Sequence, residues 1–133
     1  MDEGNQFIKK KSALSVQETM DKLESIIAEK GIPVFAKVNH SKNAKDVGLE
    51  MNESQVLFFG NPKIGTLMMQ QNVFLSLELP LKIAVVKDDA GDVWIVYNQL
   101  NSMREKYNLD IAILEKVDAL LESISNFAAH EHE

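Results

Sequence analysis

Cysteine is absent from the 133 residues, which excludes a disulfide framework, a thiolate nucleophile and a zinc–thiolate site. Long hydrophobic runs are missing too: no stretch approaches the ~18 apolar residues that a membrane-spanning helix needs. Met1-Asp2-Glu3 is acidic where a secretory signal is basic, and no apolar segment follows it. A cytoplasmic protein without a membrane partner is the expectation. Positive charge is also scarce, with 14 basic against 20 acidic side chains and a formal net charge of −6. Nucleic-acid binding draws on a concentrated basic surface, and the nearest approach to one is Lys9-Lys10-Lys11. In a strand, alternation splits those three lysines between two faces, as in a solvated or edge-protecting run. Nucleic acid is therefore not an expected partner.

An apolar fraction of 45% suits an ordinary globular chain, and one of this size buries roughly two-thirds of its unfolded surface. Without repeats or a long linker, residues 1–133 read as a single domain. A short strand falls within residues 6–12. Ser15-Val16-Gln17-Glu18 is a capping box, and Val16, Met20, Leu23 and Ile27 follow it at helical spacing, joined by Ile26. Gly31 and Pro33 end that helix at Lys30. Pro33–Val38 reads as a strand, 41–47 as a short helix or turn, and Gln55–Phe59 as a strand apolar on both faces and central in its sheet. Pro62 suits the first position of a helix, which Ile64, Leu67 and Met68 anchor.

Val73–Leu79 reads as an irregular strand or an extended bend around Pro80. Leu81–Lys87 and Val93–Tyr97 form a hairpin across Asp88–Asp92, with Gly91 available for positive φ. Asn98 is placed to cap a helical stretch through Lys106. From Asp110 to Ala128, Leu114, Val117, Leu121, Ile124 and Ala128 share one helix face, and residues 129–133 are expected to fray. The element order predicts an α+β fold: an antiparallel-rich sheet with a long N-terminal and a long C-terminal helix on one face.

The segment Leu57 to Thr66 runs from an apolar strand through Gly60-Asn61-Pro62 into a helix. Unpaired N–H groups gather at such a turn, and with the Lys63 ammonium they suit a carboxylate or phosphate. Gly60, four residues, Gly65 and Thr66 approximate a phosphate loop, but the lysine before the hydroxyl is missing and Pro62 removes an N–H. A nucleotide-hydrolysing loop is excluded. His40, at the end of its strand, suits a site near neutral pH and is expected to approach the Gly60 turn. Tyr97 is expected to reach that cleft or the core edge, with Trp94 on the same face in the core. Met68, Met69 and Phe74 fit either the core or a dimer contact. No metal-ligand spacing occurs before the terminal His130-Glu131-His132, and no catalytic set is complete.

Phe58-Phe59-Gly60-Asn61-Pro62-Lys63-Ile64-Gly65-Thr66-Leu67-Met68, then Leu79-Pro80-Leu81-Lys82 and Val93-Trp94-Ile95-Val96-Tyr97, resemble the bacterial and archaeal domain of unknown function 302 family. Val34-Phe35-Ala36-Lys37-Val38-Asn39-His40 does too, and the match runs from about Ser15 to Tyr107. The family pattern often has Asp before Leu-Pro and a proline after the final Tyr-Asn pair; Glu78 and Gln99-Leu100 stand there instead. The resemblance implies a curved antiparallel sheet against a C-terminal helix, similar to the TATA-box-binding-protein-like arrangement, and a homodimer. It also implies a candidate pocket at His40, Gly60, Asn61, Pro62, Lys63 and Tyr97, with no known cofactor. The leading expectation is a homodimeric accessory module binding a small, anionic ligand. The rivals are a hydrolase or isomerase with His40 as base, in a Tyr97–His40–Glu50 chain, and a purely structural domain.

Overall fold

The computed structural model describes residues 7–131. In chain order the elements are β1 (Ile8–Ser12), α1 (Val16–Glu29), β2 (Val34–Asn39), α2 (His40–Asp46), β3 (Ser54–Phe59), α3 (Pro62–Gln71) and a 3₁₀ helix at Val73–Leu77. They continue with β4 (Leu81–Lys87), β5 (Val93–Tyr97), a second 3₁₀ helix at Leu100–Met103, α4 (Arg104–Tyr107) and α5 (Ile111–Ala128). Among the described residues the strands form one sheet in the order β1-β5-β4-β3-β2, and every neighbouring pair is antiparallel. The α+β architecture expected from the element order is the one observed.

Alternation decides which sheet face is core. Leu57, Phe59, Ile83, Val85 and Ile95 have no exposed surface and lie beneath α1 and α5. The helices meet them with Val16, Met20, Leu23 and Ile27 from α1 and Leu114, Leu121 and Ile124 from α5. The spacing of those residues in the sequence is what places them on single helix faces. The opposite sheet face carries Val56, Phe58, Ala84, Val86, Trp94 and Val96, all only partly buried. Trp94 and Tyr97 therefore face opposite sides, because three residues along a strand reverse the side chain. The expectation that they share a face is corrected.

Local signals hold at most helix ends. Ser15 and Glu18 make the reciprocal capping box, and Gly31 takes φ 73° after α1, a conformation that glycine adopts without a Cβ clash. Gly91 takes φ 90° in the β4–β5 hairpin. Lys9 and Lys11 are exposed on edge strand β1, while Lys10 reaches over to donate to Asn126 Oδ1 of α5 at 2.7 Å. Ala129 is buried, and its carbonyl accepts from the Ala13 N–H at 2.8 Å. Fraying therefore does not begin at residue 129; His132 and Glu133 lie outside the described residues.

Two local expectations fail, one to a nearer turn and one to a distant partner. Val73–Leu77 is a 3₁₀ helix and not an extended bend: the Asn72 carboxamide accepts from the Phe74 N–H, and the chain then crosses the cis Leu79–Pro80 bond. Asn98 caps nothing. The Leu100 and Asn101 N–H groups instead donate to Asp118 of α5 at 2.6 and 3.0 Å, so a carboxylate from a later helix satisfies this helix start.

Ile83→Ala, in the central strand, should lower the unfolding free energy by about 2–5 kcal/mol, measured by urea unfolding. Val86→Ala, from the same strand's other face, should cost clearly less; an equal loss would mean that the main core lies on the wrong face.

Candidate functional site

The Gly60 turn sits at one end of the sheet. β3 delivers Phe59 to that end, and the Gly60 N–H donates to the Pro33 carbonyl at 3.1 Å, holding the turn against the start of β2. Asn61 then caps α3: its Oδ1 accepts from the Lys63 N–H at 2.9 Å and the Ile64 N–H at 3.4 Å. Those are the N–H groups that the sequence offers to an anion. The asparagine carboxamide already occupies them, and Lys63 is exposed and stands outside the cleft lining. The expected anion site is therefore corrected at its donors.

His40 does not approach this turn. The β2–β3 register pairs Asn39 with Gln55 and Val34 with Phe59, so His40 begins α2 beside the start of β3. A six-residue strand, roughly 17 Å long, separates it from Gly60. Tyr97 is buried on the helix-facing side, at the end of β5 opposite Ile8. Burial beneath α5 holds its phenol pKa above the usual tyrosine value, despite a hydrogen bond with Ser125. Tyr97, His40 and Glu50 thus form no chain, since the tyrosine and histidine sit at opposite ends of the sheet. Of the six candidate residues, Gly60, Asn61 and Pro62 meet at one feature, and Lys63, His40 and Tyr97 do not join them there.

That feature is a cleft of about 600 Å³. α3 and the 3₁₀ segment after it form one wall through Ile64, Met68 and Met69, and Val117 and Leu120 of α5 form the other. Leu79, Pro80 and Leu81 connect the two walls, and Phe35 closes the β2 side. The walls are held together by polar contacts behind the cleft. Gln71 Oε1 accepts from the Asp110 N–H at 2.8 Å, and Asn72 Nδ2 donates to the Tyr107 carbonyl at 3.1 Å. Among the described residues the lining carries no aspartate, glutamate or histidine, and Lys116 is its charged group. Such a surface can hold an apolar body; it offers no acid–base pair for chemistry.

Sequence reasoning missed a polar cluster on the other side of the Leu79–Pro80 segment. The Tyr107 hydroxyl donates to Glu78 Oε2 at 2.6 Å, Lys106 Nζ lies 3.5 Å from the same oxygen, and Lys82 donates to the Glu78 carbonyl. The Tyr107 hydrogen bond, aided by the Lys106 and Lys82 ammonium groups, holds the Glu78 carboxyl below its ordinary pKa. The same bond raises the Tyr107 phenol. Glu78 stands directly before Leu79-Pro80, which was the available signal, but its partner is distant in sequence and no local spacing announces it.

A family model described as "Domain of unknown function DUF302" matches residues 8–126. The chain belongs to the DUF302 family. A DUF302 crystal structure from Bacillus stearothermophilus, of an uncharacterized conserved protein, matches with a TM-score of 0.75. The match covers 94% of this chain and 96% of that one at 19% identity, a likeness of fold. The DUF302 chain is also 31% identical over 98 residues to "Fluoride-specific ion channel FluC 1" of Brucella suis, covering 74% of this chain and 39% of the channel. "Fluoride-specific ion channel FluC 2" of Brucella melitensis matches equally well over 36% of its length. The chain spans little more than a third of the length of these relatives. Among the described residues, no helix is long and apolar enough to cross a membrane.

Tyr107→Phe should raise the Glu78 pKa, followed by NMR titration of its carboxyl carbon. Because the folded-state pKa is depressed, the contribution of this contact to stability is present above the unfolded pKa. It is lost as pH falls through the folded value. An unchanged Glu78 titration in the variant would show that the hydroxyl does not stabilise the carboxylate.

Proposed function

We propose that this DUF302 chain is a small-ligand-binding accessory module whose working surface is the apolar cleft at the Gly60 turn. The observation that carries the reading is the cleft itself: about 600 Å³, walled by Ile64, Met68, Leu79, Leu81, Val117 and Leu120, within the size range of small-molecule sites, ~300–1,000 Å³. The enzyme reading built on His40 loses its geometric basis, because His40 and Gly60 flank opposite ends of β3. The purely structural reading leaves a cleft of this size without a purpose.

The channel relatives supply the context. A stretch of similar sequence makes up a minor part of proteins named for fluoride conduction, and this chain has no described helix fit to span a membrane. We read the shared stretch as a module that accompanies such a channel and not as its pore. Fluoride is an unsuitable occupant for the cleft, since an apolar lining cannot replace the hydration of a small anion. The reading places the chain in the cytoplasm, where the net charge of −6 and the absence of cysteine are at home.

The module is read further as a homodimer paired through the uncovered sheet face. Cross-strand neighbours Val38, Val56, Ala84 and Val96 form an apolar row there, and Phe58 stands beside it on the same face.

Protein purified without detergent should carry a stoichiometric apolar adduct in native mass spectrometry, or take one up from an added apolar probe. Loss of that adduct in Leu120→Trp would support the cleft, and its full retention would refute it. In sedimentation equilibrium, Phe58→Asp should halve the mass of the parent, whereas a parent that is monomeric at micromolar concentration would refute the dimer.

A further inference from the structure

We propose that the cleft selects a single-chain amphiphile with an anionic head group, such as a long-chain carboxylate, and that Lys116 receives the head. The inference rests on the reading of the cleft as a ligand site and adds the chemistry of the occupant.

Three features of the site point to that chemistry. The walls offer few polar groups along the length of the cleft, with Asn61, Thr66 and Ser76 as the neutral polar residues of the lining. Asn61 Oδ1 is committed to capping α3, and the Ser76 hydroxyl donates to the Val73 carbonyl at 2.7 Å. The Thr66 hydroxyl and Asn61 Nδ2 are then the few neutral polar groups left to a ligand, so a body with many donors and acceptors would leave most of them unpaired, and a largely hydrocarbon body fits. Paired methionines, Met68 and Met69, line one wall, and their unbranched thioether side chains adapt to a flexible chain better than a rigid aromatic wall would.

The charge of the site sets the head group. Lys116 is exposed and lies one residue before Val117 and four before Leu120, the α5 residues of the lining. Among the described residues it has no ion-pair partner, the lysines so engaged being Lys11, Lys37, Lys42 and Lys106. Among the described residues the lining holds no carboxylate, so a head group seated at Lys116 meets an ammonium, which attracts an anionic head and repels a cationic one.

The outer surface of the same wall adds a route of entry. Val73, Phe74 and Leu77 are 65, 75 and 81% exposed on the 3₁₀ segment, whose Ser76 belongs to the lining. An acyl chain can pass over this apolar surface into the cleft.

Isothermal titration of the full chain with tetradecanoate, tetradecanol and tetradecyltrimethylammonium, each below its micelle concentration, tests the proposal. The carboxylate should bind about 1.4- to 5-fold more tightly than the alcohol, the range for one exposed ion pair, and the ammonium more weakly than either. Lys116→Ala should remove the preference, and Lys116→Glu should invert it toward the ammonium. Gly65→Phe and Leu120→Trp, each confirmed as folded by circular dichroism, should abolish binding of all three. A Cβ at Gly65 would meet Leu79 Cδ1 at 3.8 Å, an ordinary contact, so the first of these has room to begin its side chain. Equal affinities for carboxylate and alcohol, with the filled-cleft variants inactive, would overturn the head-group assignment while leaving the cleft as a ligand site. Binding that survives both filled-cleft variants, or no binding of any probe by the parent, would overturn both readings.

Discussion

The burial of one sheet face, and one only, is the constraint on which the rest of this structure depends. Five antiparallel strands present Leu57, Phe59, Ile83, Val85 and Ile95 to the same side, and two helices must cover them. Each fully buried side chain of that kind contributes roughly 1.5–3 kcal/mol relative to exposure, so the position of α1 and α5 is set by this row more than by any polar contact. The buried Ser12–Thr19 hydrogen bond at 2.6 Å and the Ala13–Ala129 backbone pairing fix where those helices begin and end. They orient a layer that apolar burial has already brought together.

The cleft is a consequence of the same economy. Two helices do not seal the end of the sheet where β3 leaves and β4 enters, and the chain between those strands is folded into α3, a 3₁₀ segment and a cis Leu79–Pro80 crossing. That excursion is tied to the α4–α5 junction through Gln71, Asn72 and Glu78. The polar ties sit behind the walls, and the facing surfaces stay apolar. Asn61 illustrates the division: its carboxamide satisfies the first N–H groups of α3 from within the chain, which takes the helix start out of use as an anion site and leaves the hydrocarbon surface as the feature with free capacity.

Membership in the DUF302 family describes lineage and fold, and the function has to be argued from the site. The likeness to the Brucella channel proteins covers only 36–39% of their length, so it carries no channel activity over to this chain. In the function proposed above, separating the cleft from the uncovered sheet face would let one face bind a ligand while the other pairs with a second copy. The proposed approach to the cleft uses the exposed Val73, Phe74 and Leu77, and the proposed association surface uses the separate Val56–Ala84–Val96 row.

Much of the fold was determined by local sequence. The Ser15–Glu18 capping box, Pro62 at the start of α3 and the Gly91 turn involve groups close in sequence and are settled locally, while the heptad-like rows of α1 and α5 mark in advance the faces that packing buries. The class of the fold followed from those elements and their order. What only the tertiary structure decided was which of these groups meet. The opposite faces of Trp94 and Tyr97 follow from their three-residue spacing alone; strand register, by contrast, carried His40 to the end of β3 away from Gly60, and Asp118 displaced Asn98 as the cap of the segment after β5. The apolar cleft belongs to the same category, because a cavity arises from surfaces distant in sequence and no single segment encodes its shape.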